Sequence, residues 1–97
     1  MVYIPFDLSY EEFLSTNHSE RDEKMSRYMR KNDAWFLSKL RETDAGYIVV
    51  SGRNGKVLES GKREEFPTVK DLEILAEKSG EVLFGYREYI SSEEIAA

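Results

Sequence analysis

TDAGYIVVSGRNGKVLESG, residues 43–61, decides the fold of this chain. Within it Ala45-Gly46-Tyr47-Ile48-Val49-Val50 is apolar on both alternating faces, and a strand with no polar side belongs in the middle of a sheet rather than at its rim. Arg53-Asn54-Gly55-Lys56 then supplies residues that tolerate positive φ, as a tight hairpin turn demands. Lys56 to Ser60, carrying Val57 and Leu58, reads as the returning strand, thinner and suited to an edge.

Toward the C-terminus, Thr68-Val69-Lys70-Asp71 follows Pro67 and approximates a capping box. Val69, Leu72, Leu75 and Ala76 form one face of a helix over Val69–Lys78, which stops at Ser79-Gly80, where glycine suits a left-handed cap. Val82 to Ile90 reads as a final aromatic strand, and Gly85 within it implies a bulge or a close approach by another backbone. With the first strand central, the third lies on its far side, parallel to the second and reached by a right-handed crossover.

Toward the N-terminus, Ser9-Tyr10-Glu11-Glu12 fits a capping box and predicts a short helix over Tyr10 to Leu14. Ser19 followed by Asp22 predicts the start of another, with Glu20, Asp22 and Glu23 near its positive end. From Met25 to Leu40 the apolar positions Met25, Met29, Phe36 and Leu40 share a narrow stripe flanked by Tyr28 and Trp35. Asn32-Asp33, two good capping residues, predicts a kink or two helices meeting there. The expected architecture is α+β: two or three N-terminal helices, then β-β-α-β with a three-stranded sheet of order 2-1-3 in two layers. It forms a single domain over 1–97, with a helical part to residue 42, the ββαβ core over 43–90 and a tail over 91–97.

Ninety-seven residues suffice for one modest core, and 40% hydrophobic with 34% charged residues describes a soluble globular domain. The absence of cysteine excludes disulfides and thiolate metal sites and predicts a reducing, cytoplasmic setting. No basic leader precedes an apolar run and no segment is long enough to span a bilayer, so no membrane association is expected. Fourteen Lys and Arg against nineteen Asp and Glu give a net charge of −5, which repels phosphate backbones and argues against general nucleic-acid binding. Glutamine is absent and glutamate abundant, a thermophilic bias.

Residues from about Ala34 to Ile90 resemble a small uncharacterised prokaryotic domain family. The similarity rests on Trp35 in an aromatic helix, Gly46-Tyr47-Ile48-Val49, Gly55-Lys56-Val57, Gly61, the Val69–Lys78 helix and Val82-Leu83-Phe84. It implies the same hairpin–helix–strand fold and no particular activity.

The chemistry-bearing residues are sparse. His18 is the sole histidine and stands among Ser, Thr and Asn, without the carboxylate and nucleophile that a working imidazole needs. Glu11-Glu12, Glu64-Glu65 and Glu93-Glu94 are adjacent acids, whose side chains diverge and read as solvated charge. No phosphate loop, metal spacing or nucleophile elbow is present, so no catalytic, cofactor or metal residue is assigned and an enzyme is the less favoured class. Phe84-Gly85-Tyr86-Arg87-Glu88-Tyr89 resembles the latter part of the aromatic strand of RNA-recognition domains. It lacks that motif's leading basic residue, and the chain lacks the two strand–helix–strand halves. Trp35, beside Phe36 and Tyr28, is a candidate anchor for a partner. Trp35, Tyr47, Phe84 and Tyr86 are therefore the candidate contact residues. The expected function is a protein-interaction or self-associating module without catalytic activity, its partner a second copy, joined through open sheet edges or stacked on an uncovered sheet face in a two-fold dimer, or another protein. The alternative is small-ligand or single-stranded nucleic-acid binding on an aromatic sheet face.

Overall fold

The computed structural model describes residues 2–87. Tyr47–Ser51 forms β1 and is buried at every position, while β2 covers Val57–Gly61 and β3 covers Leu83–Arg87. Both flanking strands pair antiparallel with β1, giving the order β2-β1-β3 and leaving β2 and β3 parallel to each other. The expected central strand and sheet order are those observed; the expected continuation of β3 from Glu88 to Ile90, and the tail, lie outside the described residues.

Three helices precede the sheet: α1 over Tyr10–Ser15, α2 over His18–Lys31 and α3 over Asp33–Thr43. The Ser9–Glu12 capping box is complete, each residue's side chain accepting the other's backbone N–H. α2 starts earlier than Ser19, with Asn17 as its cap accepting from Glu20 N at 2.9 Å. Asn and Ser cap about equally well, so composition alone does not choose between them. The earlier start lets Arg21 Nη2 donate to the Leu14 carbonyl at 2.7 Å.

The chain splits at Asn32, as two adjacent capping residues predict, but Asn32 does not cap α3 through its side chain. Instead its fully buried amide pairs with the backbone of Ile4. Oδ1 accepts from Ile4 N at 2.8 Å, while Nδ2 donates to Ile4 O at 2.9 Å and to Tyr28 O at 3.0 Å. The N-terminal segment is thereby clasped across α2, with Phe6 N donating to Gly52 O and Phe6 itself buried.

α4 covers Val69–Ser79 after a single 3-10 turn at Arg63–Glu65. Thr68 and Asp71 complete a reciprocal capping box, and Gly80 closes the helix at φ 68°. The hairpin differs from a tight two-residue turn. Ser51 N donates to Lys56 O, Gly55 alone takes positive φ, and the Asn54 side chain accepts from Lys56 N. The register shift between Val49 and Val50 leaves Leu58 as an extra residue in β2.

The sheet is covered on both faces, so the expected two layers become three. Alternation along β1 sends Ile48 and Val50 into a core with Phe6, Tyr28, Phe36, Leu40 and Phe84 beneath α2 and α3. Tyr47 and Val49 enter a smaller core with Leu83, packed by Phe66, Leu72, Leu75 and Ala76 of the α4 side. Gly85 makes neither a bulge nor a backbone contact: an added Cβ there would meet the Phe66 ring at 2.9 Å. The close backbone approach is at Gly46, against Arg63.

The phenols of this core set its alkaline limit. Burial pushes the Tyr28 hydroxyl far above the ordinary range, and its hydrogen bond and electrostatic interaction with Tyr3 add to that. Burial also raises Tyr3, whose hydroxyl donates to Gly52 O at 2.7 Å, and raises Tyr47, near Glu59 and Glu65. A folded-state pKa raised above the unfolded value near 10 leaves stability intact below that pH and removes it above, by up to about 1.4 kcal/mol per pH unit per phenol. Followed from neutral pH to beyond 10, the phenolate absorbance that belongs to Tyr3, Tyr28 and Tyr47 should therefore appear together with the loss of circular dichroism. Phenolate appearing fully while the fold persists would contradict this.

Candidate functional site

The register of β1 and β3 separates the aromatic residues read as contact candidates. Tyr47 lies opposite Arg87 and Ile48 opposite Tyr86, so Tyr47 points to the α4 face while Phe84 and Tyr86 point to the α2–α3 face. Tyr47 is 5% and Phe84 4% exposed, and Tyr86 stacks on Phe36 with ring centroids 5.1 Å apart. These three form no common platform. Trp35 is half-buried, tilted against Tyr3 at 4.5 Å and resting over Gly55, where a Cβ would stand 3.0 Å from its ring. Its ring completes the core next to the hairpin turn.

What composition did not single out is a cleft of about 360 Å³ beside β3. On one wall, α2 presents His18, Arg21, Asp22 and Met25, with Tyr10 and Phe13 of α1 above them. On the other, α4 presents Val69, Leu72, Glu73 and Ala76, and Val82 and Leu83 make the floor. Both helical sets follow the i, i+3, i+4, i+7 spacing of a single helix face. Because the α1–α2 layer and α4 lie on opposite sides of the sheet, the cleft runs along the outer edge of β3.

The polar groups at this cleft, besides the Tyr10 hydroxyl, are His18, Arg21, Asp22 and Glu73. His18 is the exposed first residue of α2. The Arg21 guanidinium lies 4.7 Å from the centre of the Phe13 ring, and its Nε is buried with no hydrogen-bond partner among the described residues. Val69, at the mouth, is 74% exposed. A signal for this wall was present in the sequence, since Val69, Leu72 and Ala76 recur with helical period. That the same face both packs on the sheet and borders a cleft depends on where α2 ends up.

Two other concavities have the opposite character. One, of about 220 Å³, lies between the N-terminal segment and Lys24, Arg27 and Lys31 of α2. There Lys24 bridges Asp7 at 2.9 Å and Arg27 bridges Glu23 at 2.8 Å, so these charges serve the fold's own surface. The hydrogen bond from Lys24 holds the Asp7 carboxyl below its ordinary range. The other, of about 340 Å³, is bordered by Glu59, Glu65 and Asp71 on the far side of α4. Among the described residues no cluster of His, Asp and Glu has the geometry to hold a metal ion, and no helix is long and apolar enough to cross a membrane. Comparison with family models, with curated proteins and with solved structures finds no match.

Proposed function

We propose that this domain is a non-catalytic protein-interaction module that seats an apolar segment of a partner protein between α2 and α4. The observation that carries this reading is the cleft itself: an apolar concavity whose two walls are regular helix faces, with Val69 exposed at its mouth. Contiguous apolar area in a concavity, unlike singly exposed residues such as Val2 or Leu14, is the usual mark of an interface. Partner binding is favoured over joining of sheet edges between two copies. The extra residue in β2 disturbs the backbone ladder that a second β2 would need, and the helices beside β3 wall its edge.

Selection from a displayed library of random short peptides tests this. Selected peptides should shift the backbone amide signals of Met25, Val69 and Ala76, and Val69→Glu should weaken them about tenfold while leaving the thermal midpoint in place. Binders indifferent to Val69→Glu, or an empty selection, would count against the reading. A small apolar ligand is the second reading, since about 360 Å³ falls within the roughly 300–1,000 Å³ of small-molecule sites. It predicts that aromatic small molecules, and not peptides, shift the same amides.

A further inference from the structure

We infer that the partner segment binds as an added β-strand, in extended form along the outer edge of β3, an inference that rests on the peptide-binding reading above. The backbone hydrogen bonds decide which groups are available. Gly52 N donates to Val82 O at 2.8 Å and Ser51 N to Lys56 O at 2.9 Å, so even-numbered residues of β1 face β3 and odd-numbered ones face β2. In the observed register, with Val50 opposite Phe84, the main-chain groups of Val82, Phe84 and Tyr86 turn inward. Those of Leu83, Gly85 and Arg87 turn outward. Leu83 is only 7% exposed and forms part of the cleft floor, yet its outward N–H and C=O meet no partner among the described residues. β3 is an edge strand, and a row of outward N–H and C=O groups beside a cleft is a template on which a further strand can pair.

The occupant follows from the walls. A helix satisfies its own backbone and leaves Leu83 unmet. A second copy offering its own β3 has to fit two helical layers against those of the first. A single extended segment carries no such layers and slides between them. Its side chains alternate between the α1–α2 wall and the α4 wall, so apolar residues suit both. Charge narrows one wall: Glu73 disfavours an acidic residue on the α4 side, whereas Arg21 and Asp22 stand together on the α2 side.

The peptides selected above, synthesised both plain and with alternate amides N-methylated, provide the experiment. The plain peptide should slow amide exchange at Leu83 and Gly85 by at least about tenfold at saturation, and N-methylation should weaken binding by a similar factor. Arg87→Pro, which removes an outward N–H on an exposed edge residue, should weaken the plain peptide without lowering the thermal midpoint by more than a few degrees. Peptides that shift cleft amides yet leave exchange at Leu83 and Gly85 unchanged would overturn strand addition while leaving the interaction reading intact. Failure of any peptide to bind would overturn both. Protection of Leu83 and Gly85 in the free protein would also overturn it. Protection that rises with concentration would assign the edge to a second copy, and protection independent of concentration to the chain's own residues after Arg87.

Discussion

Asn32→Ala lowers the free energy of unfolding by about 2–4 kcal/mol, a large share of the roughly 5–15 kcal/mol a domain possesses. Three hydrogen bonds end at the Asn32 amide, and two of them are the link between Ile4 and the helical layer. Tyr28 O keeps the main-chain donor Asn32 N at 3.1 Å, so the loss falls on Ile4. Its N–H and C=O must find water in a segment that also holds Phe6 against Gly52. Asn32→Asp separates the contributions further. It keeps an acceptor for Ile4 N but removes both donors and places a carboxylate at a position with no solvent exposure. Burial raises that carboxyl's folded pKa above the unfolded value near 3.9, so the variant loses stability, relative to the parent at the same pH, as pH rises through the acid range. Urea unfolding at pH 4 and pH 7 measures this directly. An Asn32→Asp penalty equal at both values, or an Asn32→Ala penalty under about 1 kcal/mol, would show that the amide is not what clasps the N-terminal segment.

Gly46→Ala is the second large effect, about 3 kcal/mol. A Cβ at Gly46 would stand 2.2 Å from Arg63 N, 2.8 Å from Arg63 Cα and 2.9 Å from Lys62 C. All three are main-chain atoms, so no rotamer change relieves the overlap. The 3-10 turn at Arg63–Glu65 must move away from the start of β1, breaking the bond from Gly46 N to Gly61 O at 2.8 Å. Gly80→Ala is the informative contrast. It has free space within 4 Å but a φ of +68°, and its cost is the backbone strain of about 1 kcal/mol. Equal penalties at the two positions, measured by denaturant midpoint at constant slope, would remove the steric explanation for Gly46.

Features carried by neighbours in the chain were legible. Ser9 and Glu12, Thr68 and Asp71, and Gly80 are caps whose partners lie within a few residues. The centrality of Tyr47–Ser51 follows from a strand with no polar face, and the order β2-β1-β3 follows from that centrality with the handedness of the crossover. The illegible features are those whose partners lie far away in sequence. Asn32 resembles a helix cap until Ile4, 28 residues earlier, takes its side chain. Tyr47, Phe84 and Tyr86 look alike as strand aromatics, and only the register assigns them to opposite faces, since a slip of one residue would exchange them. The third layer is not legible in the sequence, because the helical period of α4 announces a buried face without saying which side of the sheet it covers. The cleft is still less visible. It belongs to two helices separated by the whole sheet, and neither contains half of a recognisable site.

The position of α4 has a dynamic consequence. Together with Phe66 it roofs the smaller core, and none of its own residues is buried, whereas α3 anchors the other face with Phe36 and Leu40. Cooperative units held by few apolar contacts open at lower free energy than the whole. α4 is therefore expected to open at lower free energy than β1 and the N-terminal clasp. Its amides should exchange with solvent sooner than those of Ile48 and Val50. An incoming strand that bridges Leu83 to the Val69–Ala76 face would latch it shut, so that occupancy of the edge is recorded as rigidity a layer away.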